Sequence, residues 1–254
     1  MIHPTAIIDP SAIIAPDVSV GPYTVIDANV VIGAGCKIGP HVVIKGPTKI
    51  GERNRIFQFA SIGEECQDKK YRGEPTELHI GDDNVIRECV TMQRGTVQDE
   101  GLTSVGSRGL YMAYAHVAHD CRIGDDVIVA NSSQIAGHVH MGDFAILGGG
   151  TLVHQFCRIG TGAMTGAGTV VFKDIPAFIM AQGNPAKAYT MNFEGLKRRQ
   201  YDANSLAALK RAYKTVYRQG LTLQEAIDVL AQDATPCVQV FHASLVASTR
   251  GIVR

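Results

Sequence analysis

Every sixth residue from Ile8 to Ile62 is aliphatic, through Ile14, Val20, Ile26, Ile32, Ile38, Ile44, Ile50 and Ile56. The pattern returns at Ile80 and Ile86. It then runs from Val105 through Val117, Ile123, Ile135 and Val153 to Val171, with only Tyr111 and Thr165 departing from aliphatic character. Neither the 3.6-residue period of a helix nor the alternation of a half-buried strand gives strict sixes over such a length. A coil of short parallel strands does. Each hexapeptide then makes one flat side and one corner, with its aliphatic residue pointing inward. The residue two places earlier is small at Cys36, Ala115, Ser133, Thr151 and Cys157, as a cramped interior demands.

This period resembles that of the hexapeptide-repeat family, whose fold is a left-handed parallel β-helix with three hexapeptides to a turn. The left hand comes from the resemblance alone, because the usual crossover rule favours the right. Two stretches break the repeat. Residues 64–79, "EECQDKKYRGEPTELH", are polar and read as an inserted loop, while 93–104, "QRGTVQDEGLTS", shift the register by one. Long loops in a compact repeat tend to carry function. From about residue 190 the pattern turns helical: Leu206, Leu209, Tyr213, Val216 and Tyr217 form a stripe, and Gly220 suits its stop. "TLQE" at 222–225 is a capping box, and a third helix is expected within 237–249. The expected architecture is mainly β: a left-handed β-helix over 1–189, then a C-terminal helical domain over 190–254.

Composition narrows the function. Formal charge is zero, which gives no global pull toward nucleic acid or membrane. No apolar run approaches the roughly 20 residues of a spanning helix. The start, "MIHPTAIIDP", lacks the basic and apolar regions of a signal peptide. Six cysteines without a CxxC pair read as reduced thiols, and a cytoplasmic setting is expected.

Three hexapeptides make 18 residues per coil, so residues 18 apart sit one above another at roughly 4.8 Å. Val117, Ile135 and Val153 form one such row. His116 and His119 flank the first, His138 follows the second and His154 the third, so four of nine histidines converge on one edge. Such clusters mark functional sites more often than single histidines do. Arg122, His140 and Arg158 make an outward basic ladder at the same spacing.

The motifs "AHVAHDC", "AGHV", "LVHQFCRIG", "QDKKYRGEPT", "RGTVQ", "QGNPA" and "NFEGLKRR" together resemble the UDP-N-acetylglucosamine O-acyltransferase family, across essentially the whole chain. That resemblance implies transfer of a 3-hydroxyacyl chain from acyl carrier protein to the sugar 3-hydroxyl, the first step of lipid A synthesis. It implies His119 as general base, Asp120 as its orienting acid and the Gly137 backbone N–H as oxyanion donor. A hydroxyl attacking a thioester does need a base that works near neutrality, which suits histidine. Sugar contacts implied by the resemblance are Gln67, Asp68, His116, His138, His154 and Gln155. Asn192, Glu194, Arg198 and Arg199 would hold the diphosphate and uridine.

The acyl donor is a phosphopantetheine-bearing carrier protein, so no resident cofactor or metal is expected. Between Lys187 and Arg218 eight basic residues face two acidic ones, a landing site for an acidic carrier. Lys70 matches a donor-binding position of the family, and the Arg122, His140 and Arg158 row is read as holding the donor's phosphate. A homotrimer with sites between subunits is expected. Two positions depart from the family: Gln93 replaces a histidine and receives no role, and Ala167 replaces the glycine or methionine that limits acyl-chain length. The rival readings are a γ-class carbonic anhydrase with zinc on His116, His119 and His138, a coenzyme-A-dependent sugar acetyltransferase, and a non-catalytic scaffold.

Overall fold

The computed structural model describes residues 1–254. Strands of two to five residues stack into three sheets. Sheet 1 has nine strands, from Ile7–Ile8 to Val170–Val171; sheet 2 has eight, from Ile13–Ile14 to Arg158–Ile159. Sheet 3 has ten, from Ser19–Val20 to Met164–Thr165, closed by Ile179–Gln182 and an antiparallel Lys187–Met191. Apart from those two closing strands, neighbours within a sheet are every third strand of the chain, so the backbone visits three sides before returning. The result is a left-handed parallel β-helix followed by a small helical segment.

Register explains both interruptions. Val117 pairs with Ile135 and Ile135 with Val153, the 18-residue step of an uninterrupted coil. Ile62 instead pairs with Met92, 30 residues on, and Met92 with Val117, 25 on. The first insertion therefore holds twelve residues, two whole hexapeptides, and leaves the period in phase. The second holds seven, one more than a hexapeptide, which is the shift seen in the sequence.

The periodic aliphatics line the interior; Ile26, Ile44, Ile62, Ile86 and Ile135 are all fully buried. The small residues two places earlier do more than fit. Thr24 Oγ1 donates to the Gly39 carbonyl at 2.7 Å, Cys36 Sγ to Gly51 at 3.1 Å, Cys121 Sγ to Ala136 at 3.2 Å and Ser133 Oγ to Gly148 at 3.0 Å. Each satisfies a corner carbonyl 15 residues ahead that the strand ladders leave over. All six cysteines are free thiols. Burial pushes Cys121 up to about 12 and Cys157 to about 11, so neither is a nucleophile near neutrality.

Tyr111, the large departure from the repeat, is fully buried. Gly109 makes the room: a Cβ there would lie 2.8 Å from the Tyr111 ring. The Tyr111 hydroxyl has no partner.

Four helices follow: α1 Phe193–Arg198, α2 Ala203–Arg218, α3 Leu223–Leu230 and α4 Pro236–Val246. The sequence signals anticipated the last three, whereas α1 is too short to show a period. The Asp202 side chain caps α2, the Thr222–Glu225 capping box opens α3, and Gly220 takes φ +71° between them. The tail is tied to the end of the prism by buried Asp174, which accepts from Ser248 Oγ at 2.7 Å and from the Thr249 and Arg250 N–H groups.

Candidate active site

His119 and Asp120 occupy the corner where sheet 1 turns into sheet 2, between the strands His116–Val117 and Arg122–Ile123. Asp120 sits there with φ +58°, a left-handed conformation that costs a non-glycine residue of order 1 kcal/mol or more. Its surroundings hold it in place. Oδ1 accepts the Thr96 N–H and Oδ2 the Thr96 hydroxyl, both at 2.7 Å, and its own N–H donates to Thr103 Oγ1 at 2.8 Å. Both threonines belong to the second interruption of the repeat or the strand that follows it, Leu102–Val105.

Asp120 Oδ2 lies 2.8 Å from His119 Nδ1. Burial raises the carboxyl's pKa, but the bonds from His119 and Thr96 outweigh it and hold the group below the ordinary aspartate range. An ionised carboxylate can only accept, so Nδ1 carries the proton and Nε2 presents a lone pair. Gly137 packs against that ring: a Cβ there would lie 2.5 Å from His119 Cε1 and 2.7 Å from Nε2. The Gly137 N–H donates to no group in the chain.

A pocket of about 750 Å³ opens in front of these groups. It brings together His116, His119, Gly137, His154 and Gln155 with Gln67 and Asp68 from the first loop. His116 Nδ1 lies 2.7 Å from Thr91 Oγ1; burial, then the neighbouring His119, lowers its pKa and favours the neutral ring. His138 does not line this pocket. Its ring stacks on Phe156 at 4.4 Å, meets the His119 ring edge-on at 5.1 Å, and Nδ1 turns to Asp99 Oδ2 at 3.0 Å.

The remaining expected residues lie elsewhere on the chain. Asn192, Glu194, Arg198 and Arg199 line a second cleft of about 620 Å³ between α1 and the outer face of sheet 3. Asn192 also caps α1, accepting the Gly195 N–H. Arg199 lies over the Phe144 ring at 4.4 Å and donates to the Phe144 carbonyl, whereas Arg198 is exposed. Lys69, rather than Lys70, lines the histidine pocket. Ala167 is exposed at the corner between sheets 3 and 1. Arg122, His140 and Arg158 do stack as a ladder, but on sheet 2, in a groove that shares no residue with the histidine pocket.

Three polar residues of the pocket received no role from sequence reasoning. Gln134 stands one coil above His116, so the 18-residue spacing could have found it. Gln93 and Lys69 sit beside the insertions, where the period gives no register. The groups close enough to share a cation are His119, Asp120 and His138, not three imidazoles, because His116 is outside that cluster. Within one chain the three-histidine set of the zinc-enzyme reading is therefore not assembled.

An imidazole with a free Nε2, oriented by a buried carboxylate on a parallel β-helix, is suited to general-base transfer chemistry in a protein of the hexapeptide-repeat class. The family model described as UDP N-acetylglucosamine O-acyltransferase, domain 2, matches residues 174–253. The acyl-[acyl-carrier-protein]–UDP-N-acetylglucosamine O-acyltransferase of Stutzerimonas stutzeri is 56% identical, covering 100% of this chain and 99% of its own. Among solved structures, LpxA from Acinetobacter baumannii matches with a TM-score of 0.98 at 51% identity, covering 100% of this chain and 99% of its own. The UDP-N-acetylglucosamine O-acyltransferase of Moraxella catarrhalis matches with the same score at 49% identity and the same coverage. The chain belongs to the UDP-N-acetylglucosamine O-acyltransferase family.

Proposed function

We propose that the protein transfers a 3-hydroxyacyl chain from acyl carrier protein to the 3-hydroxyl of UDP-N-acetylglucosamine, opening lipid A synthesis. The observation that carries the reading is the His119–Asp120 pair, its Nε2 lone pair facing a sugar-sized pocket beside the unpartnered Gly137 N–H. A volume of about 750 Å³ lies in the range of small-molecule sites.

The chemistry follows from those atoms. His119 Nε2 takes the proton of the sugar hydroxyl as its oxygen attacks the thioester carbonyl. The Gly137 N–H donates to the oxyanion that forms. Asp120 remains ionised and offsets the charge of the imidazolium. When the tetrahedral intermediate collapses, the C–S bond breaks and the imidazolium returns its proton to the phosphopantetheine thiolate. No acyl-enzyme forms. Gln67, Asp68, His116, His154 and Gln155 position the glucosamine, with His138 bracing the His119 ring from beside it.

Two separated clefts point to assembly. The outer face of sheet 3 presents Leu110, Ile128, Ile146 and Met164, an apolar strip beside the cleft of Asn192, Glu194, Arg198 and Arg199. In a cyclic homotrimer this face covers sheet 1 of the next subunit, and the nucleotide bound at one chain's α1 reaches the histidines of its neighbour. Lys70 and the basic surface of α1 and α2 receive the acidic carrier. Reduced thiols and a carrier-protein donor fit the cytoplasm. No helix is long and apolar enough to cross a membrane.

The test is incubation with UDP-N-acetylglucosamine and 3-hydroxyacyl carrier proteins of several lengths, read by mass spectrometry. A sugar nucleotide heavier by one acyl group is expected. An enzyme that uses acetyl-coenzyme A alone, or that gives no ester, would sink the reading.

A further inference from the structure

On sheet 2, the side of the prism that begins beyond the His119–Asp120 corner, a groove of about 550 Å³ that shares no lining residue with the histidine pocket runs between the strands and α4. Its floor is Arg122, His140 and Arg158; its wall is Val240, Ala243 and Ala247. The floor holds one guanidinium without an ion-pair partner. Arg122 has partners, Glu100 at 2.7 Å and Asp99 at 3.5 Å. Arg158 has none: no carboxylate lies within ion-pair distance, and its one side-chain hydrogen bond is Nη1 to His140 Nδ1 at 3.2 Å. Guanidinium N–H groups only donate, so Nδ1 accepts and the neutral ring carries its proton on Nε2. Burial, then Arg158 and Arg122, hold His140 below the ordinary imidazole range against the opposing pull of Asp99 and Glu100.

The acids nearest Arg158 are committed elsewhere. Asp174 Oδ1 accepts the backbone N–H of Arg158 at 2.7 Å, and Oδ2 serves the chain tail. Asp143 Oδ1 accepts the Asp125 N–H at 2.9 Å. Ser244 of α4 is also used, accepting the Ala177 N–H and donating to Phe241. The groove thus offers the free face of a guanidinium, an imidazole N–H and an apolar wall, beside the hydrogen-bonded carboxylates of Asp143 and Asp174. A planar guanidinium fork matches two oxygens of a tetrahedral oxoanion.

We infer that this groove is an oxoanion site, separate from the acyl-transfer pocket, that takes a phosphate group on Arg158 and His140 and carbon atoms against α4. Two sources carry that chemistry: free phosphate, and the phosphodiester of a phosphopantetheine arm. The test is titration of the full-length protein by calorimetry with inorganic phosphate and, separately, with 4′-phosphopantetheine, repeated with UDP-N-acetylglucosamine in excess.

One saturable site of about millimolar affinity or better is expected for at least one probe. Arg158→Gln should weaken it at least about tenfold, the usual scale for a charge-assisted pair. His140→Gln provides a second variant should Arg158→Gln misfold, and circular dichroism checks both. Phosphopantetheine binding more tightly than phosphate, through the α4 wall, would identify the donor arm; equal affinities would identify free phosphate. Absence of binding by both probes, binding untouched by either folded variant, or displacement by the sugar nucleotide would overturn the inference.

Discussion

At the scale of single residues, His119 is committed by its neighbours. Asp120 fixes the tautomer, Thr96 fixes Asp120, and Gly137 leaves the ring no tolerance for a side chain. His119→Ala should therefore lower kcat by about 10²–10⁴-fold with little change in KM, because proton removal is felt in the transition state. Asp120→Asn should be milder. Steady-state kinetics decides, and a loss of only about threefold in His119→Ala would remove the general base from the mechanism. Gly137→Ala tests the packing. Its methyl must displace the imidazole, and misplacement by about 1 Å costs on the order of 10²-fold. Full activity in Gly137→Ala would show that the ring has room to move. The His-Asp pair was legible as sequence, since the repeat put both at one edge. The contacts of Thr96 and Asp99 were not, because both enter through a loop to which no period applies.

At the scale of elements, each coil makes the same demands, so exceptions stand out. The buried Tyr111 hydroxyl lacks a partner, and an unsatisfied buried donor costs about 1–3 kcal/mol. Tyr111→Phe keeps the ring and removes the penalty. It should raise stability by about 1 kcal/mol, or Tm by about 2 °C in a protein of this size, measured by thermal unfolding. A lower Tm would mean the hydroxyl is satisfied after all. The Ala167 corner is the second exception. The Gly168 N–H binds the Gly149 carbonyl one coil away at 2.8 Å, and the exposed Ala167 methyl stands among glycines there. With about 0.8 kcal/mol per buried methylene, two carbons of misfit should shift selectivity roughly tenfold. Ala167→Gly should favour longer acyl donors and Ala167→Met shorter ones in competition assays. Unchanged profiles in both would place the length limit elsewhere. Sequence periodicity located these corners, but not the hydrogen bonds by which Thr24, Cys36, Cys121 and Ser133 serve their neighbouring coils.

At the scale of the whole molecule, the nucleotide-binding candidates and the histidines occupy different faces of one chain. If adjacent subunits complete each other's site, two inactive variants should complement. His119→Ala and Arg198→Ala, each inactive alone, should regain part of the wild-type rate when subunits are exchanged, since some mixed interfaces carry both native side chains. No recovery after exchange is verified by mass spectrometry would argue for sites within single chains.

The six-residue period by itself determined a coil of short strands, and with the three-sided turn that the family resemblance implies it stacked His116, His119 and His154 near one edge. Strand repetition fixes the register of every later residue, so distance along the chain converts directly into position. What only the tertiary structure decided lies where that conversion fails. The second insertion folds back over the coil and sets Thr96 against Asp120 and Asp99 against His138. α4 closes a groove over sheet 2, and α1 holds Asn192 and Arg198 on a face away from the histidines. Those contacts join segments with no common period, and they depend on which surfaces the chain has left to bury and which polar groups it has left to pair.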